Sequence, residues 1–155
     1  FKGRDGCRTP MPWKADELHA GFTTGGPWLP VHGRHLPLAV DRQSTDPDSM
    51  LAFSRALLHW RRTQPLLRTG SIAFFDAPEP VLWFERREGN QSLQALFNLG
   101  DESVSVALRE ALVPLPGHPH SPQAGARVQA RGDSSMLTLP PYGVFFGRPA
   151  SEEQM

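Results

Sequence analysis

The chain has 155 residues, with 16 Lys or Arg against 16 Asp or Glu, so its formal net charge is zero with His neutral. Neutrality excludes the basic excess with which nucleic-acid binders meet phosphates, and it offers nothing to an anionic membrane surface. Apolar residues are 39% and Pro occupies 16 positions, about twice ordinary usage, which predicts many turns and few long helices; no stretch approaches 18 apolar residues, so no membrane span is expected.

Phe1 opens the chain, and no basic segment followed by an apolar run comes after it, so no signal peptide is expected. The single cysteine, Cys7, cannot close an internal disulfide. It is expected as a small buried or half-buried thiol in a reduced, cytoplasmic protein.

Residues 1–45 are expected to be irregular, because Gly and Pro recur from Gly3 to Pro37. Disordered tracts usually lack aromatics, yet this stretch holds Trp13, Phe22 and Trp28. It therefore reads as an ordered surface loop that packs on something. Residues 46–64 read as one helix. Asp46 is the expected N-cap, Pro47 suits the first helical position, and Asp48 meets the positive helix end. Met50, Phe53, Leu57 and Trp60 form an apolar stripe of helical period, and Pro65 ends the helix.

Residues 70–148 read as strands. Ser71–Phe75 and Val81–Arg86 are rich in β-formers, and Gly89-Asn90 marks a turn. Leu93, Ala95, Phe97 and Leu99 alternate with Ser92, Gln94, Leu96 and Asn98, a period of two. Gly100-Asp101-Glu102 is a second turn, and Val104, Val106 and Leu108 alternate again. A Pro-rich gap runs from Pro114 to Pro122, and Val128, Leu137–Leu139 and Val144–Phe146 supply later strands. Short strands with frequent turns favour an antiparallel sandwich or barrel. Glu152 to Met155 is a polar tail.

Few residues suggest chemistry by pattern alone. Asp16-Glu17 and Asp46/Asp48 are the closest carboxylate pairs, but sequence adjacency does not hold two carboxyls across a sugar. His32/His35 and His118/His120 have short spacing only, without the paired ligands of a zinc site, so no metal is expected. No phosphate-binding glycine motif appears, so no nucleotide cofactor is expected either. Arg4 and Arg8 lie four apart in the first loop, around Asp5 and Gly6. A guanidinium fixes a carboxylate bidentately or donates to sugar hydroxyls, and Trp13, Phe22 and Trp28 are available to stack on apolar sugar faces. The plainer alternative is that the Arg side chains pin the loop and the aromatics form its small core.

The run Gly3-Arg4-Asp5-Gly6-Cys7-Arg8-Thr9-Pro10-Met11-Pro12-Trp13, followed by Ala20-Gly21-Phe22-Thr23-Thr24-Gly25 and Pro27-Trp28-Leu29-Pro30-Val31, resembles the segment after the last barrel strand in glycoside hydrolase family 13, the α-amylase family, on its α-glucosidase and oligo-1,6-glucosidase branch. Asp46 to Leu51 and Arg55 to Leu58 are similar to that family's last barrel helix. The strand region, ending in Leu139-Pro140-Pro141-Tyr142-Gly143, is similar to its C-terminal antiparallel domain.

The resemblance implies a mainly β chain: the end of a (β/α)8 barrel over residues 1–66, an antiparallel β-sandwich over 67–149, and a tail over 150–155. It implies a retaining α-glucosidase acting on oligosaccharides or sucrose-like glucosides. The catalytic carboxylates lie on earlier barrel strands, so no catalytic residue is expected in this chain and the chain alone should be inactive. Phe1 would then be a cut through a longer enzyme. The Arg before Thr-Pro-Met is Arg8, which by this matching reaches the glucose-binding subsite, while Arg4 and Asp5 brace the loop. The implied partners are a glucoside substrate and the barrel on which this chain packs. A non-catalytic carbohydrate-binding or structural sandwich, with Trp83, Phe84 or Tyr142 presented to a glucan, is one alternative. A sucrose-isomerising or glucosyl-transferring relative is another.

Overall fold

A computed structural model describes residues 3–119, 125–131 and 134–151. His120, Pro122 and the tail from Glu152, named above, lie outside the described residues, as does Phe1. The chain falls into two compact units, Phe1–Ala56 and Leu57–Met155.

The first unit is built from turns. Short 3₁₀ segments occur at Asp5–Cys7, Leu18–Gly21 and Gly33–Leu38. The stretch expected to be irregular also contains a short helix, α1, over Val40–Thr45. Six residues are too few to show a helical stripe, which hid α1 from periodicity. The next helix, α2, spans Met50–Arg62, not 46–64. Asp46 already closes α1 through its amide to the Gln43 carbonyl at 3.3 Å. Its carboxylate instead accepts from the Asp48 amide at 2.9 Å, making a local turn. Ser49 takes the capping role, accepting from the Ala52 amide at 3.1 Å. After Arg62 the chain turns, and Pro65 starts a further short helix, α3, over Leu66–Thr69.

Among the described residues the second unit carries eight strands: β1 Ser71–Phe75, β2 Val81–Glu88, β3 Gln91–Asn98, β4 Val104–Leu108, β5 Leu112–Pro114, β6 Arg127–Arg131, β7 Ser134–Leu139 and β8 Val144–Pro149. They form two antiparallel sheets, ordered β1-β2-β3-β8-β5 and β4-β7-β6. One core lies between the sheets. Trp83, Leu96 and Phe145 of the larger sheet meet Val106, Leu108, Leu137 and Leu139 of the smaller. A mainly antiparallel β-sandwich is therefore the fold.

The alternation in β3 was legible, but it does not separate a wet face from a dry one. Five consecutive residues, Ser92 to Leu96, are buried. Leu96 enters the inter-sheet core, while Leu93 and Ala95 join a second cluster with Trp60, Leu66, Leu67, Leu115 and Phe146. The end of α2 and the start of α3 thus cover part of the larger sheet's outer face. Within α2 the apolar stripe is buried only at its far end. Trp60 is 5% exposed, whereas Met50 is 71% exposed.

Several buried polar side chains in the sandwich find their partners within it. The Trp83 indole donates to Gln94 Oε1 at 3.0 Å, and Gln94 Nε2 donates to Glu110 Oε1 at 2.7 Å. Asn98 joins two turns: its Nδ2 donates to the carbonyls of Glu102 and Pro140 at 2.7 and 2.8 Å, and its Oδ1 accepts from the Gly100 amide at 3.0 Å. The backbone of the Pro140–Gly143 turn closes so tightly that a Cβ on Gly143 would sit 2.6 Å from the Pro140 ring, which explains glycine there. Of the three residues of the glucan-facing alternative, Trp83 is 3% exposed and sits in the core, Phe84 is half-buried, and Tyr142 is 73% exposed.

Candidate functional site

The segment Gly3–Trp13 enters through the Asp5–Cys7 turn. The Arg8 amide donates to the Asp5 carbonyl at 3.0 Å, and the Cys7 amide to the Arg4 carbonyl at 3.2 Å. This turn brings Arg4, Asp5 and Arg8 together on the surface, with all three exposed. Among the described residues no ion pair engages any of them. Cys7 is exposed rather than buried or half-buried, and its thiol donates to the Arg4 carbonyl at 3.0 Å. The turn places Cys7 on its outer side, where no apolar surface covers it.

The bonds that tie this loop run through its middle. The Trp13 and Lys14 amides both donate to the Ala20 carbonyl, at 2.8 and 3.0 Å. Val40 and Asp41, at the start of α1, donate their amides to the carbonyls of Pro12 and Trp13 at 3.1 and 3.0 Å. The Asp41 carboxylate accepts from the Ala15 amide with both oxygens at 3.2 Å, and Arg42 pairs with Asp16 at 2.6 Å. Lys14 pairs with Glu17 at 2.6 Å, and this hydrogen bond, with the Glu17 charge behind it, holds the Lys14 ammonium above the usual lysine range.

The turn that supplies the Ala20 carbonyl is strained. His19, Ala20 and Gly21 have φ of 51°, 53° and 66°. Three consecutive left-handed residues are uncommon, and only the glycine adopts that region without penalty. Ala20 is 3% exposed, so its methyl is held where the backbone must twist. Such strain persists only where surrounding bonds over-determine it, and it concentrates at functional sites. Gly21 gave the sequence signal for this bend; nothing in His19 or Ala20 did.

An open cleft of about 550 Å³ lies beside this turn, lined by Glu17, His19, Ala20, Trp28, Val31 and Leu36 among others. Trp28 is 93% exposed, and Trp13 and Phe22 are each 47% exposed. The aromatics of the loop therefore do not form a core of their own. Of the three, Trp28 alone lines the cleft, where it offers a flat apolar face in company with the Glu17 carboxylate and the His19 imidazole, chemistry that suits a sugar ring. Arg8 is not among the residues lining this cleft.

Among the described residues no group of three or more His, Cys, Asp or Glu is placed to hold a metal ion. The His32 and His35 rings lie 5.7 Å apart, with His32 Nδ1 engaged by the Arg34 amide at 3.1 Å. His118 is buried in the other unit, against Trp60 and Phe146 at ring distances of 4.6 and 5.0 Å. Among the described residues no helix is long and apolar enough to cross a membrane.

A family model described as the alpha amylase catalytic domain matches residues 1–70. A probable α-glucosidase of Rhizobium meliloti (strain 1021) is 40% identical over 151 residues, which is 97% of this chain and 26% of that protein. An oligo-1,6-glucosidase of Heyndrickxia coagulans is 34% identical over 105 residues, 67% of this chain and 19% of that protein. The crystal structure of an α-glucosyl transfer enzyme, XgtA, superposes with a TM-score of 0.79 at 39% identity, covering 96% of this chain and 26% of that one. That of a trehalulose synthase, MutB, gives 0.71 at 26% identity, covering 94% and 26%. The chain thus spans about a quarter of the length of the relatives it matches.

Proposed function

The chain belongs to the α-amylase family, glycoside hydrolase family 13, and from that membership we propose that it is the C-terminal part of a retaining α-glucosidase. The parent enzyme removes terminal α-linked glucose from oligosaccharides or sucrose-like glucosides. Its catalytic carboxylates lie outside these 155 residues, and it works in the cytoplasm without a metal or cofactor contributed by this chain.

The observation that carries this reading is the likeness to the Rhizobium meliloti protein along nearly the whole chain. In the geometry, the Arg8 guanidinium stands exposed with no carboxylate paired to it among the described residues. That suits a role filled by a group from elsewhere: Arg8 reaches the glucose-binding subsite, where a barrel carboxylate orients it bidentately. Arg4 and Asp5 fix the turn that presents it.

The neighbouring α-glucosyl transfer enzyme favours a second reading, in which the parent passes glucose to a sugar acceptor instead of water. The two readings share this loop and part at the acceptor.

The test is enzymatic. The 155-residue chain alone is expected to show no turnover of 4-nitrophenyl α-glucoside, while the chain with its preceding barrel turns it over. Arg8→Ala in the longer form should lower kcat/KM by roughly 10–100-fold, the worth of a charge-assisted hydrogen bond. Turnover by the short chain that survives Arg8→Ala would overturn the reading. Product analysis with excess sucrose or maltose separates free glucose from a transferred glucosyl unit.

A further inference from the structure

The reading of Arg8 leaves the cleft of about 550 Å³ beside the strained turn unused. That volume lies within the roughly 300–1,000 Å³ usual for small-molecule sites. The left-handed turn supplies the half-buried His19 and Ala20 to its lining, and a later stretch of the loop supplies Trp28 and Val31. Trp28 is 93% exposed, whereas tryptophan is ordinarily well buried. Its backbone has little freedom to fold the ring away. Pro27 fixes its own φ just before it, and Pro30 restricts Leu29 just after it.

The polar groups at the cleft are held in place. Lys14 Nζ donates to Glu17 Oε1 at 2.6 Å, and the Glu17 amide donates to the Lys14 carbonyl at 3.3 Å. One carboxylate oxygen is thereby pinned, while Oε2 has no partner among the described residues. The His19 ring has none among them either. An anion would meet the Glu17 carboxylate and a cation the paired Lys14 ammonium, so the cleft favours a neutral ligand. A sugar ring is neutral, has an apolar C–H face for an indole, and carries hydroxyls that donate to a carboxylate and bond to an imidazole.

We propose that this cleft is a saccharide-binding site built wholly from this chain. One pyranose ring stacks on Trp28 while its hydroxyls meet Glu17 Oε2 and the His19 imidazole. Arg8 does not line the cleft and takes no part in these contacts. The left-handed backbone at His19 and Ala20 is then the means by which an imidazole reaches the cleft. That the sugar is an α-glucoside rests on the reading above; that the cleft takes a neutral sugar ring does not.

The experiment titrates the 155-residue chain with maltose and follows saturation transfer from protein to sugar protons by NMR. Binding in the millimolar range is expected. Trp28→Ala should abolish it, Trp28→Phe should keep a weakened form, and Trp13→Ala, whose ring does not line the cleft, should leave it unchanged. Glu17→Gln should weaken it about tenfold, as expected for a lost hydrogen bond to a charged group. Trp28 and Glu17 are exposed, so the melting temperature should stay the same in these variants. No transfer from the unsubstituted chain, or transfer that survives Trp28→Ala, would overturn the proposal. So would a Trp28 indole that a quencher reaches in this chain but not in the longer one, because the barrel would then fill the cleft. Equal binding of β-linked cellobiose would overturn the α-glucoside as the ligand and leave the sugar site standing. A longer chain that hydrolyses no α-glucoside would overturn the functional reading above and not this site, which the 155-residue chain reports by itself.

Discussion

The two units reach order by different means. In Leu57–Met155, large side chains are buried in two clusters on either side of one sheet. In Phe1–Ala56 the only buried apolar residues among those described are Ala20, Ala39 and Pro10, while Trp13, Phe22, Trp28 and Met50 lie open. That unit is fixed by backbone bonds and a few charged pairs, such as the double donation to the Ala20 carbonyl and the carboxylate of Asp41. Removing apolar surface from water drives folding more than any other effect, so the sandwich has the means to specify itself. The loop unit is shaped by local turn chemistry and keeps its aromatics available.

The largest effect that would test this contrast lies in the sandwich. Leu96 is fully buried between the sheets, so Leu96→Ala should cost about 2–5 kcal/mol in urea unfolding. A loss well under about 1 kcal/mol would mean that β3 is not the central strand on which the core depends.

A smaller effect of opposite sign is expected in the loop. His19 has φ of 51°, and a non-glycine residue there carries about 1–2 kcal/mol of strain. His19→Gly should therefore leave the loop unit as stable or more stable by differential scanning calorimetry. A clear destabilisation would show that the imidazole contributes more to the loop than its backbone costs.

The smallest effect concerns the Lys14–Glu17 pair. Both partners are exposed, and surface pairs of this kind are screened by solvent. Lys14→Met is expected to leave the neutral-pH melting temperature unchanged. Because the Lys14 value is raised in the folded chain, whatever the pair contributes is present below the ordinary lysine range and fades as pH climbs through the raised value. A pair-dependent transition near neutral pH would contradict that sign.

Much of the sandwich was legible from periodicity. β1 matches its expected span of Ser71–Phe75, and the alternations around β3 and β4 place those strands correctly. The readings that failed share a cause. Asp46 is a good N-cap by type, but the preceding residues had already formed α1, and Ser49 took the cap. A residue's capping propensity does not say which of two adjacent helices it serves. Cys7 is small and apolar enough to be buried, yet the turn around it points outward. At the candidate site, the Gly3–Trp13 run singled out Arg8, and Gly21 signalled a bend. The cleft beside Trp28 was not visible, because it forms only when Ala15–Ala20 and Pro27–Leu36 fold toward each other.

The family, the antiparallel strands and the Arg-bearing loop can all be read along the chain. These depend on residue types and short-range periods, which survive in one dimension. Burial of β3 on both faces, a sheet face covered at Trp60 and open at Phe74, and three consecutive left-handed residues at His19–Gly21 emerge only in the folded chain. Each of these depends on what another part of the chain places alongside, and a pattern of two or of three and a half residues carries no record of its neighbour.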